Sequence, residues 1–385
     1  MAMSEFGDVS DWLTIEAARA RLGVARQTLY AYVSRGLVRA RPAPDDPRRS
    51  LYDRRGIEAL LERRHRGRAR RDVAASTIDF GEPVLASRIT AIADGVPRYR
   101  GHDAMMLSET ASLEDAAAIL WEIPAFPALP ESSYVAGDPG PPIARCLRQA
   151  AAMSGPGIWA RNTRALRQDA ASALRRMAEA AGDRRACSPI HDMMAAALGC
   201  GEAGADLIRR ALVLCADHEL NASAFAVRVV ASTGAALPCC LLAGLAALSG
   251  PLHGGMTSRV AALLAEPGMT ADPRAAIAAR LARGETVPGF GHRLYPDGDP
   301  RAIALLNAFE PAAPLRAVFA AVTELTGQQP NIDAALVALE RHLDLPVGSA
   351  LAIFAVGRTV GWIAHALEQR QDGRLIRPRA AYSGP

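Results

Sequence analysis

The sequence predicts an all-α fold for most of its 385 residues. Half of the residues are apolar, while Phe, Trp and Tyr make up only 5%, and this composition with abundant Ala favours close-packed helices over strands. Beyond about residue 110, apolar residues recur with helical spacing between Gly and Pro clusters, without sustained strand alternation. We therefore predict a helical body whose large core excludes disorder over most of the chain.

The first 72 residues predict a different unit. A short helix is expected over 12–20, with Thr14 as its N-cap, followed by a tight turn and a second helix over 25–34. A possible short strand at 50–52 and a third helix over 57–64 complete the pattern. This order is typical of a winged helix-turn-helix.

Charge separates this unit from the body. Residues 1–72 contain 16 Arg and 10 acidic residues, a net charge of +6, whereas residues 73–385 contain 28 Arg and 30 acidic residues, a net charge of −2. The total of +4 therefore combines a basic N-terminal segment, the head, with a mildly acidic body. Such asymmetry points to nucleic acid as a partner of the head, and a solvated basic tail is the alternative.

A resemblance adds to this interpretation. The stretch WLTIEAARARLGVARQTLYAYVSRGLV, followed by LYDRRGIEALL, resembles the MerR-like or excisionase-type DNA-binding module over residues 11–64. The resemblance implies that Arg26, Gln27 and Tyr30 face the major groove of DNA. Alternatively, the unit only packs against the body or helps it to dimerise.

The body is expected to consist of helices separated by short loops. They are predicted near 113–123, 140–153, 163–181, 189–198, 203–216, 238–249, 258–266, 273–283, 300–309, 313–326, 332–342 and 347–369.

Several classes of function and location are disfavoured. The chain has no Lys, which excludes Schiff-base chemistry and a P-loop lysine. Six Cys without metal-ligand spacing are expected to be free thiols in a reducing compartment, and no signal-peptide pattern is visible, so we expect a cytoplasmic protein. The uncharged stretch 229–252 is long enough to consider a membrane span, but its Gly and Pro residues favour a core helix starting near Pro238.

Three histidines stand out as candidate catalytic residues. His218 lies in ADHELN, whereas His253 in SGPLHGG and His292 in VPGFGHRLYPDGDPR are surrounded by glycines that permit close backbone approach to a ligand. None has metal-ligand spacing, so no metal is expected. Asp333, after a Pro-Asn turn, is the carboxylate that would complete an acid–base set, although a first-turn acid stabilised by the helix dipole is the alternative.

Six motifs together resemble the citrate synthase family. DHELNASAFAVRVVASTGA, SGPLHGG, VPGFGHRLYPDGDPRA, PNIDAAL, FAVGR and RPRAAY occur in the order and near-spacing of that family, over residues 79–385. The resemblance implies a large helical domain (73–253 plus 337–385), a small helical domain (254–336), an active site in the cleft between them and a homodimer.

The resemblance also implies the role of each residue. His253 would polarise the acetyl-CoA carbonyl, Asp333 would remove a methyl proton, and His292 would protonate the oxaloacetate ketone. The oxaloacetate ligands would be His218, Arg301, Arg358 and, from the other subunit, Arg377. The backbone from Val287 through Gly289 and Phe290 to Gly291 would line the adenine pocket of CoA. No cofactor is expected besides acetyl-CoA as substrate.

Two departures from the family keep alternatives open. Met256-Thr257 follow the HGG motif where many citrate synthases have Ala-Asn, and Ala334-Ala335 follow Asp333 where an aromatic residue is common. A roomier site would accept a longer acyl group, so 2-methylcitrate synthase with propionyl-CoA is the nearest alternative. A DNA-binding metabolite sensor with a synthase-like body is the alternative from another class.

Overall fold

A computed structural model of the chain describes residues 12–61, 85–129, 131–154, 163–185, 189–380, 382 and 384. The chain divides into two units, Met1–Ala86 and Ser87–Pro385. The boundary predicted at residue 72 lies outside the described residues. The further division of the body into a large and a small domain stays a prediction.

The first unit pairs short helices with a small sheet. Its elements are β1 (Trp12–Leu13), α1 (Ile15–Leu22), α2 (Arg26–Ser34), β2 (Ala40–Pro42), β3 (Ser50–Asp53) and a helix α3 that covers residues 54–61. The strands form an antiparallel sheet in the order β1-β3-β2.

The start of the first helix was predicted wrongly. Trp12 and Leu13 pair with Asp53 and Tyr52 of β3, and therefore belong to a strand rather than to the helix. Thr14 does cap α1, since its hydroxyl accepts the Ala17 N–H at 3.3 Å.

The second unit begins with a three-stranded antiparallel sheet that was not predicted from the sequence. It consists of β4 (Thr90–Ala93), β5 (Val96–Tyr99) and β6 (His102–Asp103). Asp94 and Gly95 both have positive φ (52° and 73°), the geometry of a tight two-residue hairpin turn. The all-α prediction is therefore corrected by one small sheet.

The other described elements of this unit are helices. They are α4 (Ala104–Thr110), α5 (Leu113–Leu120), α6 (Pro142–Met153), α7 (Thr163–Gly182), α8 (Ile190–Leu198), α9 (Glu202–Cys215), α10 (Ala222–Ser232), α11 (Leu237–Leu248), α12 (Met256–Leu264), α13 (Pro273–Ala282), α14 (Pro300–Leu306), α15 (Ala313–Thr326), α16 (Ile332–His342) and α17 (Ser349–Asp372). Each helix predicted for the body is found, with ends within three residues of the prediction; α4 and α10 were not predicted.

Helix α17 lies in the centre of the hydrophobic core of the second unit. Every residue from Ser349 to Ala366 is buried. The helix is long and apolar enough to cross a membrane, but 94% of its apolar window is buried inside the protein, as in a core helix. The stretch 229–252 is broken between α10 and α11, where Gly234 has a φ of 81°, which confirms the predicted core helix near Pro238.

One glycine of α17 permits a close approach that positions the site. Gly361 donates its N–H to Ala216 O at 2.9 Å, and a Cβ at this position would lie 2.5 Å from that oxygen. The same Cβ would lie 2.3 Å from Oδ1 of Asp217. The absence of a side chain at Gly361 therefore lets the loop after α9 lie directly against α17.

Candidate active site

One face of α17 presents a buried charged group whose hydrogen-bond donors are only partly satisfied. Phe354, Arg358, Gly361 and His365 share this face, because their spacing of three or four residues follows the helical repeat. Arg358 is 1% exposed and its Nε donates to Cys215 O at 2.8 Å. Nη1 and Nη2 have no hydrogen-bond partner among the described residues. A buried guanidinium with two free donor groups is suited to an anionic ligand.

The loop after α9 lies against this face. Tyr99 terminates α9, since its hydroxyl lies 3.0–3.2 Å from the carbonyl oxygens of Val213, Leu214 and Asp217. Oδ1 of Asp217 lies 3.3 Å from Nε2 of His365, and both side chains are fully buried. This close contact between two buried side chains lies next to His218 and joins the loop after α9 to α17.

His218 joins His292 through Tyr295. His218 Nε2 lies 2.8 Å from the Tyr295 hydroxyl, and the ring centroids of His218 and His292 are 5.2 Å apart in an edge-on arrangement. Burial, followed by the charges of Arg301 and Arg358, lowers the pKa of His218 well below its usual value. Burial lowers the pKa of His292 to about 4, so both imidazoles are neutral at physiological pH.

His253 is held by α10 and α17. Its Nε2 lies 2.8 Å from Ser223 Oγ, which also accepts the indole N–H of Trp362 at 3.0 Å. The ring centroids of His253 and Phe354 are 6.0 Å apart, and the two rings are nearly perpendicular. Burial, with a smaller contribution from Arg358 and Arg301, lowers the pKa of His253 to about 3. A neutral imidazole here can donate a hydrogen bond without carrying charge.

A buried ion pair fixes the second arginine. Asp299 binds Nε and Nη2 of Arg301 at 2.9 and 2.8 Å, and its Oδ2 also accepts the Ile332 N–H at 3.0 Å. Burial disfavours the charged form of Arg301, but the Asp299 carboxylate outweighs this effect and raises the guanidinium pKa. The pair therefore ties the start of α14 to the start of α16, next to Asp333.

A backbone pairing brings the glycine-rich loop to the start of α16. Gly291 N–H donates to Gln329 O at 2.8 Å, and Asn331 N–H donates to Gly289 O at 2.9 Å. Gly289 has a φ of 84°, and a Cβ there would lie 2.5 Å from Val260 and 3.2 Å from Ala334. The pairing thus places the two chain segments that carry His292 and Asp333 side by side.

One carboxyl oxygen of Asp333 has no hydrogen-bond partner among the described residues. Asn331 caps α16, and its side chain accepts the Asp333 backbone N–H at 3.0 Å, but Asp333 Oδ1 is buried with no hydrogen bond among the described residues. Burial raises the pKa of Asp333 to about 7, and Asp299 adds to this effect while Arg301 and Arg358 oppose it. An acidic residue in the first turn stabilises a helix through the helix dipole without being buried. The buried Oδ1 and the raised pKa therefore favour a role for Asp333 as a proton acceptor.

The residues predicted to bind CoA, the other subunit's substrate or DNA are not members of this cluster. Val287 and Phe290 are each 8% exposed, and Phe290 packs edge-on against Phe319, so only their backbone is suited to contact a ligand. Arg377 is exposed beyond the end of α17. Arg26, Gln27 and Tyr30 are exposed on α2 of the first unit.

Three residues of the cluster were not predicted as site residues from the sequence. Tyr295 and Asp299 lie inside the same motif as His292 and Arg301, and Ser223 lies in the motif that begins with His218. Asp299 before Pro300 is a helix-cap signal, and the hydroxyls gave no signal of their own. Among the described residues there is no group of three or more His, Cys, Asp and Glu that could hold a metal ion.

The helical fold and this acid–base cluster define the class of protein, and comparison with known proteins agrees. The family described as citrate synthase, C-terminal domain, matches residues 154–379. The chain belongs to the citrate synthase family.

Individual relatives extend the comparison. Putative citrate synthase 2 of Mycobacterium tuberculosis is 41% identical over 185 residues, 45% of this chain and 50% of that protein. Citrate synthase 2 of Bacillus subtilis is 37% identical over 200 residues, 47% of this chain and 51% of that protein. A 2-methylcitrate synthase of M. tuberculosis is 35% identical over 185 residues, 46% of this chain and 47% of that protein. The chain thus spans about half the length of the curated relatives that it matches.

A solved structure shares the fold over a longer range. Citrate synthase from Thermotoga maritima superposes with a TM-score of 0.62 and 26% identity, and the match covers 79% of this chain and 94% of that chain. The predicted citrate synthase-like helical fold is confirmed.

Proposed function

We propose that the protein condenses acetyl-CoA with oxaloacetate to give citrate and free CoA. The observation that carries this proposal is the Asp333 carboxyl, whose Oδ1 is buried without a hydrogen bond among the described residues and whose pKa is raised to about 7. The charges of the buried Arg301 and Arg358 act on this carboxyl. A thioester α-proton is weakly acidic, so a carboxylate removes it only where a donor stabilises the enol oxygen at the same time.

Three residues of the cluster carry the proton abstraction and the condensation. Asp333 takes a methyl proton while an N–H of His253 stabilises the developing oxygen charge. The nucleophilic carbon then attacks the ketone of oxaloacetate, and His292 supplies the proton to the ketone oxygen. Water finally cleaves the citryl thioester, which releases CoA and citrate.

Binding of the 2-oxo acid relies on permanent charge. Arg358 and Arg301 would hold its two carboxylates, with His218 as a further donor, because a planar guanidinium matches a carboxylate bidentately. We extend the proposal to a homodimer in which Arg377 reaches the other subunit's site, in accord with its exposure beyond α17. The Val287–Gly291 backbone would contact the adenine of CoA, in a cleft between a large and a small domain.

The size of the acyl group follows from the packing around Asp333. Ala334 and Ala335 are both 0% exposed, and Ala334 lies against Gly289, where a larger side chain would collide. Their small size therefore serves close packing of α16 and adds no room for a longer acyl chain. This close packing favours acetyl-CoA over propionyl-CoA as the substrate, and so the citrate synthase reaction over the 2-methylcitrate synthase reaction.

Thiol release tests the proposed function. With oxaloacetate and acetyl-CoA, the protein is expected to release free CoA thiol, and kcat/KM for propionyl-CoA is expected to be at least about 10-fold lower. Both are measured with a thiol-reactive chromophore, with pyruvate replacing oxaloacetate as the control for the second carboxylate. A higher kcat/KM for propionyl-CoA would instead support the 2-methylcitrate reaction, and no release with either would refute the proposal.

The first unit supports a second function, binding of DNA. Leu29 of α2 is fully buried, while Arg26, Gln27 and Tyr30 are exposed on other faces of the same helix. Arg26 Nε donates to the Tyr30 hydroxyl at 2.8 Å, which orders the guanidinium. An exposed polar helix face that includes Arg26, in a segment with a net charge of +6 over residues 1–72, fits a winged helix-turn-helix that enters the major groove.

Substitution on α2 tests DNA binding in the full chain. Arg26→Ala with Gln27→Ala is expected to reduce affinity for a specific duplex by at least about 10-fold, measured by fluorescence anisotropy at several salt concentrations. Arg21→Ala is the matched control, because Arg21 is an exposed arginine of α1 that pairs with Glu58 at 3.1 Å. Equal losses in both variants would reduce the effect to net charge and contradict groove recognition by α2.

A further inference from the structure

Tyr295 contacts three of the groups assigned to the 2-oxo acid site. Its hydroxyl lies 2.8 Å from His218 Nε2, its ring lies 4.8 Å from the His292 ring with a tilt of 35°, and the Arg301 guanidinium lies 5.7 Å from its ring centroid. The side chain is 3% exposed. No role in the proposed reaction has yet been given to it.

The backbone around Tyr295 is also ordered. Its N–H donates to His292 O at 3.0 Å, and its own carbonyl accepts the Gly298 N–H at 3.1 Å. His292 Nδ1 accepts the Leu294 N–H at 3.1 Å, so the proton of the neutral His292 ring is on Nε2. The turn from His292 to Gly298 therefore holds both the His292 ring and the phenol in fixed positions.

The phenol proton of Tyr295 and the single ring proton of His218 determine the direction of the hydrogen bond between them. His218 is neutral and carries one ring proton, while burial raises the pKa of Tyr295 so that the phenol keeps its proton. Among the described residues, His218 Nε2 is the one hydrogen-bond partner of the phenol oxygen. If Nε2 carried the proton, the phenol hydrogen would have no acceptor in a buried site, which costs free energy. The phenol therefore donates and Nε2 accepts.

We propose that Tyr295 is a positioning residue that fixes His218 as its Nδ1–H tautomer, so that His218 presents a hydrogen-bond donor to an anionic 2-oxo acid. This inference rests on the proposed function for the identity of the ligand. The tautomer itself is a property of the protein without ligand. An Nδ1 without a proton would turn its lone pair toward a carboxylate or ketone oxygen, which is also an acceptor, and the two would repel each other. The tautomer therefore decides whether His218 attracts or repels the substrate.

Tyr295→Phe removes the hydroxyl and keeps the ring that packs on His292. We expect the KM for oxaloacetate to rise about 10-fold, with the KM for acetyl-CoA unchanged and kcat reduced far less than kcat/KM. Tyr134→Phe is the matched control, because Tyr134 is a buried tyrosine whose hydroxyl binds Asp183 Oδ1 at 3.0 Å. The control is expected to leave both KM values unchanged.

Ring-nitrogen NMR of ¹⁵N-histidine-labelled protein provides the readout that a merely structural role would not move. The unaltered protein is expected to show the Nδ1–H tautomer at His218, with the signal identified by its loss in His218→Asn. Tyr295→Phe is expected to shift His218 toward the Nε2–H tautomer. The proposal would be overturned if the unaltered protein showed the Nε2–H tautomer at His218. It would also be overturned if Tyr295→Phe changed neither the tautomer nor the KM for oxaloacetate. Absence of thiol release from the unaltered protein would contradict the proposed function, while the NMR measurement, which needs no turnover, would still decide the tautomer.

Discussion

Asp333→Asn is expected to lower kcat by about 10²- to 10⁴-fold without unfolding the protein. The substitution keeps the shape of the side chain but removes the proton acceptor. Asn331 caps α16 through its own side chain, so the start of the helix does not depend on the Asp333 carboxylate. Steady-state thiol release with acetyl-CoA and oxaloacetate measures the loss.

The pH dependence of the unaltered protein tests the same assignment. The base must be ionised, and the pKa of Asp333 is raised to about 7, so kcat/KM for acetyl-CoA is expected to rise with pH and to reach half of its maximum near that value. His253 and His292 have pKa values of about 3 and about 4, so they add no descending limb between about pH 5 and 8. A profile that is flat over this interval would contradict the assigned base.

Stability supplies a readout that is independent of catalysis. The folded pKa of Asp333 lies above the unfolded value of about 3.9, so the native state binds more protons between these values. The free energy of unfolding contributed by Asp333 is therefore lost as pH rises from about 4 to about 7. Asparagine does not ionise, so the stability of Asp333→Asn relative to the unaltered protein is expected to increase over that interval, as measured by urea unfolding.

Asp192→Asn is the matched control for a first-turn acid. Asp192 lies in the first turn of α8, where its side chain is 53% exposed. Removing its charge is expected to cost at most about 1 kcal/mol of helix–dipole interaction and to leave kcat unchanged. If Asp333→Asn behaved in the same way, Asp333 would be a helix-stabilising acid rather than a base.

The helical repeat predicted most of the fold because each helix buries an apolar face of its own. The helices α15 and α16 begin and end at the predicted residues, since Pro, Asn and Gly signals mark their ends. Helix α10 was missed because its β-branched sequence AVRVV gives a weak helical signal, and its stability comes from packing against α11 and α17. The Asp94-Gly95 hairpin carried a local signal that the helical composition of the body outweighed.

The site was predicted by residue type, but its electrostatics depend on tertiary packing. Nothing in PNIDAAL reveals that Asp333 Oδ1 is buried without a hydrogen-bond partner in the described part of the chain, because that depends on segments distant in sequence. The Asp217–His365 pair likewise joins residues that are distant along the chain, and Gly361 makes room for it. Gly-rich motifs could locate His253 and His292, whereas the hydroxyl partners Ser223 and Tyr295 are recognised only from distances.

Arg358→Met is expected to raise the KM for oxaloacetate by about 10²- to 10³-fold, because truncating one partner of a buried charge pair costs about 2–5 kcal/mol. Without ligand, the same substitution is expected to leave the free energy of unfolding unchanged or to raise it. Arg358 Nη1 and Nη2 are buried without hydrogen-bond partners among the described residues, so the free protein bears the cost of desolvating this charge, and a methionine does not. Oxaloacetate is accordingly expected to raise the Tm of the unaltered protein and not that of the variant.

Arg228→Met provides a control in which the two effects are reversed. Arg228 is 2% exposed, but it binds Glu368 at 2.7 Å and Gln369 at 2.8 Å. Removing it leaves Glu368 without this partner, so the free energy of unfolding is expected to fall by about 3–5 kcal/mol while the KM for oxaloacetate stays within about twofold. Urea unfolding and steady-state kinetics on both variants separate an arginine kept for a ligand from one kept for the fold. Loss of stability in Arg358→Met with an unchanged KM would show that its guanidinium serves the fold and would remove it from the 2-oxo acid site.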